Sequence, residues 1–151
     1  MKESEIDQKI KEGYVLAEMW FEAVAIEKKA SEDALKEHLK KLSEFSDIKI
    51  LEETFLNAKR VKNLETKNKM YSAAAKTKIL AKDIYALIFA TILFAPSSVI
   101  ILKPEKFNLD LITMQTIINT FADLIHRISR IGGKILIPLP YQKDITSKEA
   151  K

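Results

Sequence analysis

The segment Ile84–Leu102, IYALIFATILFAPSSVIIL, carries no charge over 19 residues and leaves the chain few ways to fold. Its length approaches the ~20 residues with which a helix crosses a bilayer. Pro96-Ser97-Ser98 divides it after an apolar run of 12 residues. A helix of about 12 residues spans roughly 18 Å, short of the roughly 30 Å hydrocarbon core. The tripeptide also stops a helix and starts a turn. The segment therefore predicts a buried helix over 84–95, capped by Asp83, then a short buried strand at 99–103 ended by Pro104. No transmembrane segment is expected. A helix that is apolar nearly all round must be covered on several sides, by core, another domain or another subunit.

The rest of the chain is patterned around that unit. Residues 1–12 are a polar helical lead-in, punctuated by Gly13. In Tyr14–Ile26, alternation puts Val15, Ala17, Met19, Phe21, Ala23 and Ala25 on one side of a strand. Tyr14, Leu16, Trp20, Val24 and Ile26 fall on the other side with Glu18 and Glu22, so both faces are covered. A helix is the alternative there. Ser31 is placed to cap a helix whose face is Leu35, Leu39, Leu42 and Phe45. A strand begins at Ile48 and runs to Phe55. Residues 57–69 have no sustained apolar period and read as a long loop or an extended hairpin. Met70–Ala81 alternates, with Tyr71, Ala73, Ala75, Thr77, Ile79 and Ala81 on one face and Lys76 and Lys78 on the other. Asp110 caps a long helix to about Ile131 with a broad apolar stripe, closed by Gly132-Gly133. Residues 134–139 are a candidate edge strand and 142–151 a polar, disordered tail.

The order βαββαβ predicts an α/β (α+β) ferredoxin-like antiparallel sheet with an added long C-terminal helix and a short edge strand. The chain has 151 residues, 47% apolar and 30% charged, which suits one folded domain over 13–141 between the lead-in and the tail. Residues 88–111, IFATILFAPSSVIILKPEKFNLDL, resemble the C-terminal extension of WYL-type regulators, which are small ferredoxin-like domains. Ala95 stands where such segments often carry glycine. The resemblance bears on the fold, and no function is carried over from it.

Chemistry is sparse. The absence of cysteine excludes disulfides and thiolate metal sites, and suits a reducing, cytoplasmic setting. The N-terminus has neither signal-peptide nor transit-peptide character. Few glycines with abundant Lys, Ile and Glu is a bias of hyperthermophile proteins, which points to a thermophilic archaeal origin, and equally of AT-rich genomes. His38 and His126 sit on separate helices without metal-ligand spacing. Glu18 and Glu22 have the spacing of an acid/base pair, but cross-strand pairing with Lys76 and Lys78 is the simpler reading. Trp20 reads as core packing. No phosphate loop or nucleophile motif is present. No catalytic residue, metal ligand or cofactor is expected, and an enzyme ranks last among the functions considered.

Charge is the remaining lead. Residues 57–78, NAKRVKNLETKNKMYSAAAKTK, carry +6, while the whole chain carries +4. The plain reading is a solvated edge blunted by lysines. The functional reading is electrostatic contact with nucleic acid, a membrane headgroup or an acidic protein, through Lys59, Arg60, Lys62, Lys67, Lys69, Lys76 and Lys78, with Tyr71 placed to stack. One arginine among lysines suits diffuse phosphate attraction better than base reading. MYSAAAKTKI lacks the aromatics of RNA-recognition strands. The favoured function is a non-enzymatic binding or adaptor module that self-associates through Ile84, Leu87, Ile88, Phe121 and Ile125. The rival is an ACT-like sensor holding a small ligand at a subunit interface.

Overall fold

Period-two alternation builds the centre of the molecule. The computed structural model describes residues 1–62 and 69–130. Four strands form one sheet: β1 (Val15–Ala25), β2 (Ile48–Lys62), β3 (Lys69–Ala81) and β4 (Ser98–Lys103). Their order is β2-β3-β1-β4 and every neighbouring pair is antiparallel. Helices α2 (Lys28–Ser43) and α3 (Ile84–Phe94) make the two crossovers, so this is the expected ferredoxin-like arrangement. Helix α1 (Glu3–Lys11) precedes it and α4 (Leu111–Arg130) follows. The chain divides into two compact units, Met1–Asn108 and Leu109–Lys151. The expected strand at 134–139, the Gly132-Gly133 closure and the tail at 142–151 lie outside the described residues.

One face of the sheet carries the core. Val15, Ala17, Met19 and Phe21 of β1 and Ala73, Ala75, Ile79 and Ala81 of β3 are buried against Leu35, Leu39 and Leu42 of α2 and Ala86, Leu87 and Ala90 of α3. Each fully buried large side chain contributes about 1.5–3 kcal/mol. Thr77 lies in the same row, and its hydroxyl donates to the Met19 carbonyl at 3.3 Å, so no polar group there is orphaned. The apolar girth of α3 is used on two sides. Its alanines meet the sheet, while Phe89 and Phe94 meet Phe45, just past α2, at centroid distances of 6.1 and 6.0 Å. His38 stands edge-on to Phe21 and Phe94, at 5.4 and 5.8 Å. Its Nε2 lies 2.8 Å from the Phe94 carbonyl, one of the oxygens a helix end leaves unpaired. Ala95 then turns left-handed, with φ 43°, the conformation glycine takes at least cost.

Two expected caps hold. Asp83 accepts from the Ala86 N–H at 2.7 Å and Asp110 from the Thr113 N–H at 2.8 Å. The expected cap at Ser31 does not. Helix α2 starts at Lys28, and Ser31 is fully buried with its hydroxyl donating to the Lys28 carbonyl at 2.8 Å. Ser31 belongs to the inward row that continues through Leu35, Leu39 and Leu42, so packing outweighs the local cap preference. Strand β2 also runs past Phe55 to Lys62, so residues 57–62 belong to an extended hairpin arm, while 63–68 lie outside the described residues.

The other sheet face is built differently. Leu16 and Leu80 are buried there, at the end where Asp7 of α1 pairs with Lys103 at 2.7 Å and Lys9 of α1 lies 4.9 Å from the Tyr14 ring. Gly13, at φ 100°, makes the corner between α1 and β1. Trp20 lies on this face too, half-buried, and not in the core as its neighbours suggest. Strand parity decides it: Trp20 alternates with Met19 and Phe21, which take the core side. Among the described residues no helix is long and apolar enough to cross a membrane.

Candidate anion-contacting hairpin

Register decides which basic residues meet. Strands β2 and β3 pair from Ile48↔Ala81 to Lys62↔Lys69, with irregularities between Ile50 and Glu52 and between Leu56 and Lys59. Each inserts one extra residue in β2 and flips its face parity. After the second flip, Arg60 stands opposite Tyr71 and Lys62 opposite Lys69, on the side that carries Ala73 and Ala75. Lys59 stands opposite Ser72 on the reverse side, the side of Lys76 and Lys78. Lys67 lies outside the described residues. Of the eight expected anion contacts, Lys59, Arg60, Lys69, Tyr71, Lys76 and Lys78 can be placed. They divide between two faces and two positions along the arm.

The inner group is already neutralised. Lys76 Nζ is 2.7 Å from Glu18 Oε2 and 5.7 Å from the Trp20 ring centroid, and the Trp20 indole N–H donates to Glu18 Oε1 at 3.0 Å. The Lys76 hydrogen bond, helped by that indole, holds the Glu18 carboxyl below the ordinary value of 4.5 against the opposing effect of burial. Lys78 pairs with Glu52 at 3.4 Å. The cross-strand reading of Glu18 is thereby met, and Lys78 takes a partner from β2 that the sequence does not point to. Glu22 is exposed opposite Ala74 and joins no ion pair among the described residues. With Thr54 and Leu102, the charged four line a depression of about 140 Å³.

The outer group is different. Strand β1 ends at Ala25, paired with Tyr71, so the arm outruns it by the pairs Val61↔Met70 and Lys62↔Lys69. Arg60 and Lys69 are exposed and Tyr71 is half-buried beside them. No carboxylate among the described residues pairs with Lys59, Arg60 or Lys69. Arg60 and Lys69 lie on one side of the arm with no described carboxylate beside them, so an anion laid across that side would meet both.

The expected self-association residues also divide. Leu87 is only 3% exposed and belongs to the core, so it offers no surface to a second subunit. It sits on the α3 face that the sheet uses, with Ala86 and Ala90. Ile84 and Ile88 are half-buried. Phe121 and Ile125 of α4 are exposed. Among the described residues no three His, Asp or Glu side chains come together as metal ligands. No curated protein and no solved structure matches the chain. A family model does match, over residues 16–148, and the chain belongs to the MJ0538 family.

Proposed function

We propose that this protein is a non-catalytic binding module that self-associates and uses the outer end of its β2–β3 hairpin to contact an anionic partner, nucleic acid in the first place. The observation that carries the reading is the ladder end itself. Arg60 opposes Tyr71 two pairs inward from Lys69, on the side that Lys69 shares, and no described carboxylate pairs with Arg60 or Lys69. A guanidinium and ammonium groups beside a half-buried phenol ring are the parts of a phosphate contact with base stacking. Lys76 and Lys78 drop out of the contact set, because their charge is spent on Glu18 and Glu52.

The test is binding to single- and double-stranded DNA and RNA across a salt series. Three phosphate contacts on duplex DNA give a log–log salt slope of about −2.7, or roughly 40-fold weaker binding between 50 and 200 mM salt. Replacing Lys59, Arg60, Lys62, Lys67 and Lys69 with Gln should abolish binding. No binding of the wild type at low salt would remove the nucleic-acid reading. The alternative is a small ligand held at a subunit interface; depressions on the single chain measure about 140, 180 and 250 Å³, and a thermal shift with one metabolite that is insensitive to salt would favour that alternative.

A further inference from the structure

Helix α4 holds a narrower pattern inside its broad apolar stripe. Leu111, Met114, Ile118, Phe121, Ile125 and Ile128 follow one another at alternating spacings of three and four residues. That is the a/d pattern of paired helices, whose period of 3.5 differs from the 3.6 of a helix laid against a flat layer. Leu111, Met114, Ile118, Phe121 and Ile125 are 82, 42, 54, 44 and 44% exposed. The positions that flank the row on one edge are Gln115, Ala122 and Ser129, all uncharged.

The row reads the same from either end. Turned antiparallel onto a copy of itself, Leu111 meets Ile128, Met114 meets Ile125 and Ile118 meets Phe121. Every layer then joins an a position to a d position. The charges favour this direction. Arg130 lies in the last turn of α4, where Arg127 is paired with Asp123 at 2.7 Å, and Asp110 stands immediately before the first turn. Antiparallel pairing sets each basic end beside the partner's acidic end and opposes the two helix dipoles. Parallel pairing would gather the Arg130 of both copies at one end and both Asp110 at the other.

We infer that α4 is the self-association surface, and that its occupant is α4 of a second copy, antiparallel across a two-fold axis between Ile118 and Phe121. The inference rests on the self-association reading above and moves that contact off α3. A row this short does not hold isolated helices together. Here each helix belongs to a chain that folds around its own sheet, so pairing need not supply the fold. The contact is isologous, and closes at two copies.

The absence of cysteine makes a direct test available. Leu111→Cys and Ile128→Cys variants of the full chain, mixed in equal amounts and mildly oxidised, should give a disulfide-linked heterodimer far in excess of linked species from either variant alone. Efficient linkage within each variant alone would overturn the antiparallel arrangement. In sedimentation equilibrium the wild type should run at twice 17.2 kDa, and Ile118→Glu with Phe121→Glu at 17.2 kDa with an unchanged circular dichroism spectrum. A dimer that survives both substitutions would overturn the α4 contact and leave self-association standing. A wild type that is monomeric at all concentrations would overturn both. Should the double variant lose its fold, the cysteine pair decides.

Discussion

The inner and outer parts of the β2–β3 hairpin share one lysine-rich stretch and treat its charge in opposite ways. At the inner part, Lys76 and Lys78 lie among three ordered neighbours: Glu18, Glu52 and the Trp20 ring. At the outer end, Arg60 and Lys69 have none of these, and no described carboxylate pairs with either. The difference comes from β1. Where β1 runs alongside, it supplies Glu18 and Trp20 to the open face. Beyond Ala25 it has ended, and the arm has only its own two strands. A charge count over residues 57–78 treats its cations alike. The sheet separates the described ones into Lys76 and Lys78, paired with carboxylates, and Arg60 and Lys69, which are exposed and unpaired among the described residues.

Predictions can attack that division. The largest effect is expected from Trp20→Ala, which removes the ring beneath Lys76 and the N–H that holds Glu18. It should cost about 1–2 kcal/mol in denaturant unfolding, less than a core truncation because the ring is half-buried. The salt slope of anion binding should not move, and a parallel loss of slope would show that the two parts are not independent. Next, Arg60→Gln with Lys69→Gln should flatten the slope by about 2 and leave stability within about 0.5 kcal/mol. Lys76→Gln with Lys78→Gln should leave the slope unchanged. The reverse result would exchange the roles of the two parts.

The pairing at Glu18 also has a pH signature. Because the carboxyl is held below its ordinary 4.5, its pairing stabilises the fold above about pH 4.5. That stabilisation is lost as pH falls through the depressed value. Thermal melts of wild type and Lys76→Met should therefore differ at neutral pH and converge in acid. A constant offset at all pH values would assign the loss to the ammonium over the Trp20 ring, whose charge does not change in acid. The smallest effect is expected from Lys69→Glu, which gives the outer end the kind of opposite-charge pair found at the inner part. It should stabilise the arm by roughly 0.5 kcal/mol at low salt, read as slower amide exchange at Met70, and weaken anion binding.

Much of this molecule was legible in local pattern. The alternation in Val15–Phe21 and Ala73–Ala81 marked the core face, Asp83 and Asp110 marked helix starts, and Pro96-Ser97-Ser98 marked the turn before β4. Each is a short-range property: a pleat, a cap, a missing N–H. The even spacing of Glu18 against Lys76 was legible for the same reason. The expectations that missed share a different cause. Ser31 has good cap chemistry, yet the core draws it one turn into the helix. Leu87 is apolar on an apolar helix, and only packing shows which side the sheet takes.

By itself, the sequence determined the order of elements, the buried face of each central strand and the surplus of positive charge, because these depend on residues within a few positions of one another. Only the tertiary structure decided which cations are available. That depends on where β1 stops and on two single-residue insertions in β2, near Leu51 and at 57–58, which twice reverse the faces of its side chains. Nothing within β2 distinguishes an inserted residue from a paired one. The partner strand makes the distinction, by the register in which its hydrogen bonds and side chains fit.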